Sequence, residues 1–135
     1  MAHLVATNAY VSVNSVDLSA HVESVTLAYK GDAVEQTAMG DGTHKFLGGL
    51  LDWTLDINFR QDFASSQVDA SLFGIVGTVV TIEVKPVNAS RSATNPSYTG
   101  SALLTDYTPI DAKIGALAPA PAKFKAGGTL SRLTS

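Results

Sequence analysis

The chain has no cysteine, three histidines, one tryptophan and few charges, and each shortage removes a class of function. Without cysteine there is no disulfide framework, no thiolate nucleophile and no Cys-ligated zinc. Charged residues make up 16% of the 135 and apolar residues 45%. The second figure is globular and the first low, which excludes a disordered acidic or basic tail. A net charge of −3 argues against a protein that grips nucleic acid by its phosphates, because that takes clustered Lys and Arg. No apolar run approaches the roughly 18 residues of a membrane-spanning helix, so no membrane partner is expected. The opening MAHLVATNAYVSV lacks a basic region, and His3, Thr7 and Asn8 interrupt its apolar residues, so it does not read as a secretory signal.

Chemistry is equally sparse. No pair among His3, His21 and His44 has the spacing of a helical metal motif, and each reads as a surface or hydrogen-bonded histidine. Gly40-Asp41-Gly42-Thr43 lacks the alternating oxygen ligands of a calcium loop and reads as a tight reversal. The glycine pairs 48–49 and 127–128 head no helix, and no serine sits in a G-x-S-x-G elbow. No catalytic, metal or cofactor site is expected, and the chain is not expected to be an enzyme.

What is present is alternation. Leu51, Trp53, Leu55, Ile57 and Phe59 alternate with Asp52, Thr54, Asp56, Asn58 and Arg60, giving a strand with one core face and one wet face. Val25, Leu27 and Tyr29 alternate with Thr26, Ala28 and Lys30 in its expected neighbour. Further strands are predicted over TVVTIEVKPV (78–87), SYTGSALLTDY (97–107) and PAKFKAG (121–127), with short ones at Tyr10 to Val13 and Thr129 to Leu133. A turn is expected at Asn14 to Asp17, and an Ala/Pro run before residue 121 reads as a stiff extended approach. Val68, Leu72, Ile75 and Val76 recur at helical spacing, which predicts one helix over about 66–76, capped by Ser66 with Asp69 and ended by Gly77. Trp53, Phe59, Phe73 and Phe124 are assigned to the core.

These elements predict a mainly β single domain over 1–135, a β-sandwich or partly closed barrel with one flanking helix. Between the first two long strands, residues 31–50 read as a long irregular loop with five glycines. Its apolar residues Val34, Met39, Phe46, Leu47 and Leu50 are too many for a solvated linker. Charge is uneven along the chain, with nine acids against three bases up to residue 82 and six bases against three acids after it.

Several motifs occur together in order: V-N-S-V-D-L-S-x-H-V-x-S-V-T-L, T-A-M-G-D-G-T-H, L-x-D-W-T-L-D-I-N-F, F-A-S-S-Q-V-D-A, V-x-P, A-T-N-P-S-Y-T-G and F-K-A-G-G-T-L-S-R. From Tyr10 to Thr134 the chain resembles the siphophage tail tube (major tail) protein family. The resemblance implies a structural virion protein, assembled in the host cytoplasm, that forms hexameric rings stacked into a DNA-conducting tube for genome ejection. It implies that the 31–50 loop, with Val34, Met39, Asp41, His44, Phe46, Leu47 and Leu50, reaches the adjacent ring. It likewise implies that Glu23, Thr26, Thr54, Asp56 and Asn58 line an acidic or neutral bore, which Lys30 and Arg60 would interrupt. Implied partners are further copies of the chain, a tape measure protein, tail terminator and distal tail proteins at the ends, and double-stranded DNA passing without specific binding. The alternatives are a capsid decoration or head-tail connector protein and, from another class, a carbohydrate-binding β-sandwich.

Overall fold

A computed structural model describes residues 3–5 and 7–135. The alternating segments form β1 (Tyr10–Val13), β2 (Val16–Asp17), β3 (Val22–Glu35), β4 (Phe46–Arg60), β5 (Val79–Lys85), β6 (Ser97–Tyr107), β7 (Pro119–Ala126) and β8 (Ser131–Leu133). One short helix, α1 (Val68–Leu72), lies between β4 and β5. All pairings are antiparallel, in the order β2-β1-β5-β6-β7-β4-β3, with β8 beside β7 on the same edge of β6.

One apolar cluster joins Val11 and Val13 of β1, Leu55, Ile57 and Phe59 of β4, Ile82 of β5, Leu104 of β6, Phe124 of β7, and Val68 and Leu72 of α1. β1 and β4 are four places apart in the sheet, so sharing a core requires the sheet to curl over itself. The result is a sandwich-like sheet, not closed into a barrel, with α1 against it. Each large side chain buried this way contributes about 1.5–3 kcal/mol.

Local chemistry sets the turns. Asn14 and Ser15 both take left-handed backbone (φ 52° and 67°), which a two-residue hairpin with the right-handed strand twist requires, and they join β1 to β2. The expected helix is shorter than 66–76. α1 covers five residues and continues as a 3₁₀ turn over Phe73–Ile75, because Gly74 and the following β-branched Val76 sustain helix poorly. Ser66 has φ 61° and makes no cap; Gln67 occupies the cap position without a side-chain bond. Gly77 does not end the helix, which stops at Leu72 with its 3₁₀ turn closing at Ile75; at φ 83° it turns the chain into β5 instead.

Three further expectations need correction. Residues 31–50 are not irregular throughout: β3 runs on to Glu35 and β4 starts at Phe46, leaving only 36–45 as loop. Cross-strand hydrogen bonding carries the hairpin beyond the core, although the apolar alternation lapses there. Leu51, Tyr29, Val76 and Phe73 are exposed rather than core, Phe73 at 69%. The first two lie where the hairpin leaves the body, and Phe73 lies on the outer side of the 3₁₀ turn. Finally, Pro119 and Pro121 belong to β7 itself, paired with Arg60 and Asn58 of β4. That end of β7 is tolerant of proline because β6 pairs only from Ala122 onward.

Trp53 fixes the last part of the chain. It is buried, and its indole N–H donates to the carbonyl of Gly128 at 2.9 Å. Gly100 makes room for this contact: a Cβ there would lie 3.0 Å from both the Trp53 ring and the Thr129 carbonyl.

Candidate functional site

Two surfaces stand out, and both belong to the β3–β4 hairpin. The first is its projecting end, here called the arm. Cross-strand pairs run from Tyr29–Trp53 through Lys30–Asp52 and Gly31–Leu51 to Ala33–Gly48, Val34–Leu47 and Glu35–Phe46. A register shift between Gly31 and Ala33 places Asp32 against the bulged Gly49–Leu50 pair. Gly49 fits there because a Cβ would come within 3.1 Å of the Asp32 and Val34 side chains.

The tip is held by polar contacts. His44 Nδ1 lies 2.6 Å from Glu35 Oε2, which also accepts from the Thr37 hydroxyl at 2.9 Å. Thr37 Oγ1 accepts the Lys45 backbone N–H at 2.9 Å. Gly40, at φ 90°, forms the reversal, and Asp41 accepts the Ala38 N–H at 2.8 Å and pairs with Lys45 at 3.1 Å. The Ala38 bond, then the Lys45 contact, hold the Asp41 carboxyl below the ordinary carboxylate range. Against this ordered polar tip, Val34, Met39, Phe46, Leu47 and Leu50 are exposed, Met39 fully. None of them serves the core.

The second surface is the outward face of β3, β4 and β7. Register puts Ser24, Asn58 and Pro121 on one rung, Thr26, Asp56 and Lys123 on the next, and Ala28, Thr54 and Lys125 on a third. Thr26, Thr54, Asp56 and Asn58 therefore share a face. Glu23 sits in the register shift between Val22 and Ser24 and reaches Arg60 at 3.7 Å. Lys123, Lys125 and Asp106, which faces Lys123 across β6–β7, complete a surface that the first two strands alone did not reveal. Glu23, Asp52, Asp56 and Asp106 balance Lys30, Arg60, Lys123 and Lys125, so the face is neutral rather than acidic.

Among the described residues, no three His, Asp or Glu side chains are grouped to hold a metal. His21 Nε2 lies 2.5 Å from Gln67 Oε1, and its other ring nitrogen 3.9 Å from Asp62. Every ion pair among the described residues joins partners within the same charge half of the chain. Where the curled sheet fails to close, a groove of about 490 Å³ is lined by Val25, Leu27 and Tyr29 of β3 and by Val84, Tyr98 and Leu130 opposite.

By sequence, no family model and no curated protein matches the chain. By structure, it is similar to a chain of the virion of the native gene transfer agent (GTA) particle. That match has a TM-score of 0.72 at 15% identity, covering 93% of this chain and 95% of that one. The chain shares the fold of that virion chain. A chain of the tail of the empty GTA particle, computed with helical refinement and C6 symmetry, gives 0.65 at 16% identity over 85% of this chain and 83% of that one. A chain of the six-fold symmetrised anti-feeding prophage (AFP) baseplate gives 0.55 at 10% identity over 98% and 97%. The shared fold thus spans most or nearly all of the chain in these comparisons, while so little identity carries no residue roles across.

Proposed function

We propose that this chain is a structural subunit of a viral tail tube. Copies form rings of six, the rings stack, and DNA passes through the common bore. The observation that carries the reading is the arm: a hairpin continuous with the core strands, presenting apolar side chains that the subunit itself does not bury. A lone soluble domain gains nothing from such a surface, whereas a polymer buries it in every repeat. The C6 symmetry of the GTA tail, which contains a chain of this fold, supports the ring number. The arm residues Val34, Met39, Asp41, His44, Phe46, Leu47 and Leu50 make the contact between rings.

Thr26, Thr54, Asp56 and Asn58, with Glu23 at their margin, face the bore. A charge-balanced wall suits a conduit, since a surplus of lysine and arginine would hold the phosphates that must slide past. On this reading the protein acts by geometry and catalyses nothing. Its location is the virion tail, its length set by a tape measure protein and its ends closed by terminator and distal tail proteins. Negative-stain microscopy at rising protein concentration tests the reading: stacked rings with a central hole are expected. Single rings that never stack would move the assignment to a connector or baseplate ring. Strictly monomeric particles across salt and concentration would overturn it.

A further inference from the structure

The arm has a counterpart at the opposite end of the same two strands. β4 is 15 residues long, a rod of about 50 Å at 3.4 Å per residue. One end pairs Glu35 with Phe46, and the other pairs Val22 with Phe59. The second end carries the β6–β7 loop, residues 108–118. The Gln61 backbone N–H, just past β4, donates to the Ala118 carbonyl at 3.0 Å, and the Gln61 side chain donates to the Pro109 carbonyl at 2.6 Å. Held there, Ile110, Ile114 and Leu117 are exposed, Ile114 completely, with Phe63 exposed two residues beyond Gln61.

Resting on the tail-tube reading above, we infer that the arm of one copy docks on the Ile110–Leu117 loop of the next copy along the axis. The two surfaces lie at opposite ends of one strand pair, so translation along the strands, and not a two-fold rotation, brings them together. Such a contact is heterologous and repeats without closing. The areas match. At on the order of 100 Å² per exposed side chain, the four residues at the loop end and the five on the arm each offer roughly 400–500 Å². That is patch-sized for a functional surface and about half of what one partner buries in a standard interface. The charges are compatible as well, since Asp32 on the arm and Lys113 on the loop have no ion pair among the described residues.

The natural chain has no cysteine, so engineered thiols report unambiguously. Leu47→Cys protein is mixed with a size-tagged Ile114→Cys protein, assembled, and treated with a short bismaleimide; Leu50→Cys with Leu117→Cys is the second pair. All four positions are exposed, so folding is preserved. The expected result is a mixed covalent dimer that is lost when either cysteine is omitted. Stacked particles without the mixed dimer, or with an arm-to-arm dimer from Leu47→Cys alone, would overturn the docking and leave the tail-tube reading standing. Protein that stays monomeric at every concentration would sink both.

Discussion

Replacing residues 32–50 by Asn-Gly separates what the arm does for the subunit from what it does for assembly. Gly31 and Leu51 face each other across the ladder, so a two-residue turn of the Asn-Gly type closes the hairpin in register. No residue from Gly31 to Leu50 belongs to the core cluster. Tyr29–Trp53, the Gly128 bond and the rungs below are all retained. Shortening a 19-residue connection to two favours the folded state by about 2 kcal/mol in loop-closure entropy if the arm were flexible. An ordered arm returns less, so urea unfolding should change by no more than about 2 kcal/mol, and upward. Assembly should respond in the other direction. Five exposed apolar side chains at about 100 Å² each represent roughly 12 kcal/mol of gross burial per contact, an upper limit that ordering and desolvation costs reduce. Losing it should abolish stacking in sedimentation velocity and micrographs while near-native thermal unfolding persists. Tubes that survive the replacement would refute the role given to the arm; a subunit that no longer folds would refute the separation of arm from core.

Other perturbations test the frame. Trp53→Phe removes the donor to the Gly128 carbonyl and part of the ring over Gly100; it should cost about 2–3 kcal/mol in denaturant melts and raise hydrogen exchange across β8. A loss below about 0.5 kcal/mol would show that the indole is not the pin described. Gly100→Ala meets the Thr129 carbonyl and the Trp53 ring at 3.0 Å and should cost about 1–3 kcal/mol, whereas a neutral result would place the C-terminal segment elsewhere. Burial, reinforced by the Asp69 carboxylate that its hydroxyl donates to at 2.9 Å, pushes the Tyr107 phenol up to about 12 from its ordinary value of 10.0. The raised value means that stability is complete below about pH 10 and falls as pH rises toward 12, because the unfolded chain ionises first. Tyr107→Phe should flatten that fall in pH-dependent melts, and an unchanged profile would assign it to another group. Glu83 is held below its ordinary range chiefly by the Ser97 hydroxyl, so its contribution is present at neutral pH and lost as pH falls through the lowered value. Ser97→Ala should therefore reduce stability at neutral pH more than in acid, which urea titrations at several pH values would detect.

Much of the fold was legible because one face of each strand is buried. Alternation marked β1, β4 near the core, β5 and β6 closely, since a core face forces apolar residues to every second position. It failed where nothing is buried on either side. Gly31 to Glu35 and Phe46 to Leu50 are strand by virtue of hydrogen bonding across the hairpin, and their sequence carries no period to reveal it. The helix was legible in position but not in length, because Val68 and Leu72 pack inward whereas Val76 and Phe73 do not. The wet face was legible only in part. Lys123 and Lys125 alternate with core residues in plain view, but their position beside Asp56 and Thr54 depends on a pairing between strands some 60 residues apart. No local pattern encodes that distance. The Ala/Pro run before residue 121 read as an approach to the next strand, and only the Gln61 bonds show that the exposed Ile110, Ile114 and Leu117 ahead of β7 are presented at the end of the hairpin.

The bulge at Asp32 and Gly49–Leu50 has a mechanical consequence. Elsewhere the β3–β4 ladder continues without interruption from Ser24 to the arm, so strain applied at the tip passes down a stiff ribbon into the body. At the bulge one strand carries an extra residue, twist rises and the ribbon is softest. If neighbouring copies are joined through this arm, bending of the whole filament concentrates at that one joint in every repeat. Removing the extra residue, Gly49, should then lengthen the persistence length measured on imaged tubes, making curvature a property that a single backbone irregularity sets.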